Sequence, residues 1–321
     1  MKEITIDKLN SGQKAEKFVR RYLSFAPLGF IYKAFRKKDI KANGHWIPKD
    51  YVVKEGDVIR IYVTDQQLVD FAKPREATKT PLSCPIVYES GNVLIVDKPS
   101  GLLVIGDETE TRNTLARKVL DYLYFKGEFD PNNHAFVPSP AHRLDRNTAG
   151  LVVFGKTDAA LKDLTALFKD RTEITKKYTA LVAGDLEGQG EINRPLKKNS
   201  DSGLVSVTSL DEGGKEALTK WRTLKNYEDS TLVECELITG RTHQIRVHFA
   251  SIDHPIIGDG KYGNFAVNRL FKSDYGFDHQ FLHATSISFG KIEGVLSELA
   301  GRTFLSPLTE EEKSLLAKLK V

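Results

Sequence analysis

Cysteine is scarce: Cys84 and Cys235 are the only two in 321 residues, and they lie far apart. Two cysteines cannot frame a structural zinc site by themselves, so both are expected as buried thiols in a reducing compartment. Long apolar runs are absent too. No stretch approaches the ~18 consecutive apolar residues of a membrane-spanning helix, and no membrane partner is expected. The first residues, Met-Lys-Glu-Ile-Thr-Ile-Asp, lack the apolar region of a secretory signal, which predicts a cytoplasmic location. No Gly-x-Ser-x-Gly occurs, which disfavours a serine hydrolase. His243 and His248 are five residues apart with no carboxylate or cysteine to complete a ligand set, so no metal is expected. Internal repeats and low-complexity segments are likewise missing.

What is present suggests about two domains, and 40% apolar with 28% charged residues suits a protein with a sizeable core. Net charge is only +4, but it is unevenly spread. Residues 1–80 hold 17 Lys+Arg against 10 Asp+Glu, while the remainder holds 30 against 33. A small basic module on a near-neutral body points to a nucleic-acid anchor joined to an enzyme. Within that module Gln13–Leu23 reads as a helix, with Phe18, Val19, Tyr22 and Leu23 at three- and four-residue spacings. Pro27 interrupts it, and a second helix follows over about Leu28–Lys38, with Phe30, Ile31, Ala34 and Phe35 on one face. Asn43-Gly44 and Lys54-Glu-Gly-Asp57 mark turns, and Val58–Val63 is a short strand. This order, with its closing Glu-Gly-Asp-x-Ile strand, resembles an S4 RNA-binding domain over residues 12–63. The resemblance implies that Lys33, Arg36, Lys37, Lys38 and Lys41 face structured RNA. The polar stretch 64–81, with Lys73-Pro74-Arg75, reads as a linker.

The remaining chain, 82–321, alternates helices and strands irregularly. Strands are expected at Ile86–Tyr88, Val93–Val96, Tyr178–Ala183, Val205–Thr208, Ala217–Leu224, Thr231–Ile238 and Gln244–Phe249. Helices are expected at Asn113–Phe125, Asp158–Phe168 and Thr309–Lys320. That pattern predicts an α+β fold with a mixed, mostly antiparallel central sheet and no doubly wound arrangement.

One stretch concentrates chemistry. His142-Arg-Leu-Asp-Arg-Asn-Thr-Ala-Gly-Leu151 sets Asp145 between Arg143 and Arg146. Nearby positive charge favours the carboxylate anion, which can act as a nucleophile or base while arginines hold a polyanion beside it. Four further motifs accompany it: Val93–Gly101 with Asp97-Lys98-Pro99, Lys176-Lys177-Tyr178, Thr239-Gly-Arg-Thr-His-Gln-Ile-Arg-Val-His248 and Leu282-His-Ala284. Together, in this order, they resemble the pseudouridine synthases of the subfamily that modifies large-subunit ribosomal RNA. The likeness covers about residues 82–300. It implies isomerisation of uridine to pseudouridine in large-subunit RNA or its assembly intermediates, by a monomer that uses no cofactor. Asp145 is then the catalytic carboxylate, either attacking the ribose carbon or removing its 2′ proton. Tyr178 would stack on the target base and accept the later proton from C5. Arg246 would pair with Asp145, and Arg143 would fill the space left by the flipped nucleotide. Arg241, His243 and Lys177 would contact phosphates. This chain departs from the common family signature at Asn147 and Ala149, where Asp and Ser are frequent.

Three rivals stand beside this reading. Transfer RNA or a mixed set of RNAs could be the substrate. A non-catalytic protein could use the S4-like module alone. Gly150-Leu-Val-Val-Phe-Gly-Lys-Thr157 also satisfies the pattern of a phosphate-binding P-loop. Its Leu-Val-Val-Phe interior argues against that, because strong strand formers would spend their N–H groups in a sheet ladder.

Overall fold

The computed structural model describes residues 1–320 apart from 24–25, 72–76, 107–109, 111–112, 132–135 and 200–201. The N-terminal elements are β1 (Lys2–Thr5), α1 (Ala15–Tyr22), α2 (Leu28–Arg36), β2 (Ile40–Ala42), β3 (His45–Trp46), β4 (Val58–Ile61) and α3 (Asp65–Phe71). The strands form one sheet in the order β1-β4-β2-β3. Apolar residues at helical spacing on α1 and α2, including Phe18, Val19, Ile31 and Phe35, join Ile40, Ile59 and Ile61 of the sheet in one core. Asn43 and Gly44 both have positive φ, as the tight β2–β3 hairpin demands. The Asn43 side chain ties that turn to Asp57 and to the Val58 amide, at 2.9 and 2.8 Å. The stretch read as a linker is partly helical, because α3 packs Leu68 and Phe71 against this core. Lys73-Pro74-Arg75 lies outside the described residues.

The larger body runs through β5 (Ile86–Glu89), β6 (Val93–Lys98), α4 (Leu115–Phe125), β7 (Ser139–Pro140), β8 (Ala149–Gly155), α5 (Asp158–Asp170) and β9 (Ile174–Ala183). It continues with β10 (Gln189–Asn193), β11 (Leu196–Lys198), β12 (Val205–Val207), β13 (Leu218–Tyr227), β14 (Ser230–Leu237), α6 (Gln244–Ala250), α7 (Phe265–Tyr275), β15 (Leu282–Phe289), β16 (Thr303–Leu305) and α8 (Glu310–Lys318). The main sheet follows β10-β13-β14-β9-β15-β8-β6-β5, with β7 on β8 and β16 on β15. Only β15–β8 is parallel among its described pairings, so the sheet is mixed and mostly antiparallel.

Strands β6 and β8 are apolar almost throughout because both faces are covered. Leu94, Val96, Val152 and Phe154 pack with α4, whereas Val93, Ile95, Leu151 and Val153 pack with α5. This disposes of the P-loop. Gly150–Phe154 lie in the β6–β8 ladder, and Lys156 is buried with its ammonium on Glu89 and the Ser90 carbonyl. Thr157 merely caps α5, accepting from the Ala160 amide.

One expected strand is a helix. Gln244–Phe249 alternates in a way that suits a strand, yet it forms α6. All six residues are buried, so their alternation does not mark one covered face of a strand. Here the Gln244 side chain decides the matter: its carbonyl accepts from the Arg241 amide and Thr239 hydroxyl, and its amide reaches Leu218 and Thr219. No clear apolar face announces helix α7, capped by Asn264, because only Phe271 is buried while Phe265 and Leu270 are exposed.

Candidate active site

Asp145 sits on the connection that enters β8, and the sheet register carries the other groups to it. Ala149 of β8 stands opposite His283, and Leu282 stands opposite Ala180 of β9, so Tyr178 lies on the same floor. Gly150 is required at this junction. Its φ is +108°, and a Cβ there would stand 2.3 Å from the Ala284 carbonyl oxygen. Lys98 braces the loop from below. Its fully buried ammonium donates to the carbonyls of Pro99, Leu102 and Arg146, at 2.8, 2.8 and 3.0 Å. Burial pulls this lysine toward about 7, while three acceptors match the three N–H bonds of the protonated form. Ser100 to the Asn147 carbonyl and Gln280 to Thr148 complete the brace.

The guanidinium that pairs with Asp145 comes from far along the chain. Arg246 Nη1 donates to Asp145 Oδ2 at 2.8 Å. Its other edge is held by Asp259, with Nε and Nη2 donating to the two carboxylate oxygens at 2.7 and 2.8 Å. Tyr262 lies against the guanidinium, 5.1 Å from ring centre to Cζ. Asp259 is wholly buried and also accepts from the amides of Lys261 and Tyr262. Burial alone would raise its pKa; the Arg246 bonds and charge, with those amides, overcome this and lower it. Arg246 is correspondingly raised despite its burial. The result is an arginine fixed on both edges that presents one nitrogen to Asp145.

Around this array is a cleft of about 780 Å³. Asp145, 25% exposed, is the one carboxylate among its described lining, which includes Arg143, Lys169, Arg171, Lys176, Lys198 and Arg241. Tyr178 is buried in the floor, and burial pushes its hydroxyl above the ordinary range, so it meets a ligand as a neutral phenol. His243 has a left-handed backbone at the start of α6, 3.8 Å from Asp145, and its Nδ1 meets the Tyr262 hydroxyl at 2.8 Å. Burial lowers its pKa, with the Asp145 charge opposing. His248 is elsewhere, buried between Thr219 and the Arg194 carbonyl.

The expected residues thus divide. Asp145, Tyr178, Arg246, Arg143, Arg241 and His243 share the cleft. Lys177 does not. Alternation along β9 turns it to the opposite face, where it pairs with Glu234 at 3.0 Å. Lys176 takes its place in the cleft. Lys33, Arg36, Lys37 and Lys38 are exposed on and just after α2, and Lys41 lies half-buried on β2. Asp259, Tyr262, Lys98, Arg171 and Lys176 were not foreseen as site residues. Asp259 had a faint signal in Gly258-Asp-Gly-Lys-Tyr262, a tight turn presenting one acid beside an aromatic.

A mixed sheet that presents a single arginine-clamped carboxylate in a cation-lined cleft defines an enzyme built for a polyanionic substrate. The chain belongs to the RNA pseudouridylate synthase family, whose profile matches residues 92–251. Ribosomal large subunit pseudouridine synthase C of Vibrio parahaemolyticus is 33% identical over 290 residues, covering 89% of this chain and 87% of the relative. Its Escherichia coli counterpart is 30% identical, covering 90% and 88%. Ribosomal large subunit pseudouridine synthase D of Zymomonas mobilis is 36% identical, covering 79% and 80%. Among solved structures, human RNA Pseudouridylate Synthase Domain Containing 4 shares the fold, with a TM-score of 0.57 and 23% identity over 74% of this chain and 94% of its own. The protein is therefore a pseudouridine synthase, an isomerase.

Proposed function

We propose that this enzyme converts specific uridines of large-subunit ribosomal RNA to pseudouridine, with Asp145 acting at the target nucleotide. The observation that carries this is the Asp145–Arg246–Asp259 array in a cleft whose other charged groups are cationic. The relatives named for large-subunit RNA support the choice of substrate. In the reaction the N1–C1′ bond breaks, uracil turns, and a C5–C1′ bond forms. C5 loses a proton and N1 gains one, so atoms and electrons balance without a redox partner. Arg246 orients Asp145, and the neutral Tyr178 ring packs against the uracil. Burial disfavours the tyrosinate, so stacking fits this residue better than proton acceptance.

The target must leave its stack, at about a few kcal/mol, and Arg143, exposed at the cleft, occupies the space it leaves. Arg241 and His243 hold the adjoining backbone. Residues 1–63 serve as an S4-type anchor, joined through 64–81 to a catalytic body spanning 82–321. Basic and aromatic groups interleave on the anchor's surface: Lys38 lies over exposed Trp46 at 5.5 Å and Lys41 over exposed Tyr62 at 5.1 Å. Such a face suits backbone contact and base stacking together.

The test is a pseudouridine map of ribosomal and transfer RNA from cells with the gene, without it, and rescued with Asp145→Asn. Sites in large-subunit RNA that vanish on deletion and return only with wild-type protein are expected. Loss confined to transfer RNA would replace the substrate. No lost site in any RNA would overturn the proposal.

A further inference from the structure

One wall of the cleft is chemically unfinished. His142, Arg171 and Lys176 surround Phe168 there, and all four line the cleft. The His142 ring stacks on Phe168 with centroids 4.2 Å apart. Lys176 Nζ lies 5.7 Å from the same ring centre, and Arg171 Nε donates to the Phe168 carbonyl at 3.2 Å. His142 Nε2 accepts from the Val153 amide, which leaves the proton of a neutral imidazole on Nδ1. That Nδ1 is buried and has no partner among the described residues. Arg171 Nη1 is in the same condition, and no carboxylate among the described residues pairs with this guanidinium. Lys176 is 8% exposed, and its ammonium faces the Phe168 ring with no hydrogen bond to a described residue.

Three N–H donors therefore share one wall, and none has an acceptor in good geometry among the described residues, the Arg143 carbonyl being the only backbone group that favours the His142 proton. Native proteins rarely leave buried polar groups unpaired, and a cluster of one kind calls for a ligand of the other. The complement here is an anion rich in oxygen acceptors. Its position relative to the nucleotide over Tyr178 follows from the strand that carries both residues. Lys176 is two residues before Tyr178 on the same face of β9, about 6–7 Å along the strand, a distance close to one nucleotide step.

We propose that His142, Arg171 and Lys176 bind a backbone phosphate of the RNA strand next to the nucleotide held over Tyr178. This deepens the function proposed above and rests on it. These three are positioning residues: they seat the strand and do not touch the reacting atoms. Burial and Arg171 push the Lys176 ammonium down to about 7, and an arriving phosphate restores its charge. Gly240 belongs to the same device. A Cβ at this position would stand 1.7 Å from Arg171 Nη2, so any side chain there displaces the guanidinium.

The test uses the full-length protein and an unmodified large-subunit RNA transcript. Affinity is measured across a salt series, single-turnover rate at saturating RNA, and thermal midpoint without RNA, for wild type, Lys176→Met, Arg171→Met and Gly240→Ala. Each of the Met variants should bind about tenfold more weakly, and its salt slope should fall by roughly 0.7 per lost phosphate contact. The rate at saturation should stay within about threefold of wild type. The Lys176→Met midpoint should hold or rise, because an unpaired buried charge is gone. Gly240→Ala should follow Arg171→Met in direction with a smaller change. Weaker binding with an unchanged slope would mean a neutral base edge and overturn the phosphate. Unchanged binding, or a fall in the Lys176→Met midpoint, would make the wall structural and overturn it as well. Binding is read without turnover. Wild-type protein that binds the transcript and leaves its uridines intact would sink the proposed function, with the slopes still judging the phosphate.

Discussion

Two walls of the same cleft treat buried charge in opposite ways. At one, Arg246 is closed on both edges by Asp145 and Asp259 and backed by Tyr262. At the other, His142, Arg171 and Lys176 hold donors with no well-placed acceptor among the described residues. The first wall is complete before substrate arrives, so its geometry costs nothing further when chemistry begins. The second is complete only with an anion in place. The contrast separates preorganised chemistry from substrate recognition within a few residues of sequence, since His142 and Asp145 share one loop.

The largest effect should come from breaking the finished wall at its reactive end. Asp145→Asn keeps an acceptor for Arg246 but removes the carboxylate. Turnover on RNA should fall by at least ~10²–10⁴-fold, with RNA affinity within about tenfold of wild type. A variant that retained about a tenth of the wild-type rate would remove Asp145 from its role. Next is Asp259→Ala, which leaves Arg246 buried with half its partners. Breaking such a pair should cost about 3–5 kcal/mol in a denaturant titration, and turnover should fall as Arg246 loses its seat.

Acidification probes the same bond. The folded-state pKa of Asp259 is lowered, so its contribution is full above the ordinary carboxylate value of ~4 and is lost as pH falls through the lower folded value. Asp259→Ala should lack that acid limb.

The unfinished wall should show a smaller effect at the opposite end of the pH scale. Lys176 titrates near 7 when folded against 10.5 as its ordinary value. Between those values the unfolded chain binds more protons, so this residue lets stability rise with pH across that window. Below it the full penalty is present. Lys176→Met should therefore gain most over wild type at neutral pH and lose the advantage toward pH 10.5. A constant difference across the range would show that the lysine is not held uncharged. The smallest effect is expected at the proposed N-terminal anchor. Neutralising Lys33, Arg36, Lys37 and Lys38 together should weaken RNA binding and flatten its salt slope while leaving the single-turnover rate at saturation unchanged. An unchanged slope would separate α2 from RNA contact.

Much of this protein is legible in its residues. Periodic apolar spacing in α1, α2, α4 and α5, the Asn43-Gly44 hairpin and the Thr309 cap of α8 are local features, fixed by interactions within a few residues. The motif around Asp145 and the arginine of α6 were readable as chemistry because their residue types and order carry the family likeness. Tertiary structure decided what depends on distant partners. It made Gln244–Phe249 a helix through side-chain bonds to Leu218 and Thr219. It chose Lys176 over Lys177 for the cleft, because one step along a strand reverses the face and only the packed sheet says which face is the floor. It also supplied Asp259 as the second clamp on Arg246, 13 residues on and across a turn whose local pattern hints at an acid but not at its partner. Local sequence determines which elements form and which groups are available. Which charges are finally satisfied, and which are left for a ligand, is a property of the folded neighbourhood, since burial and pairing exist only once the chain has closed around them.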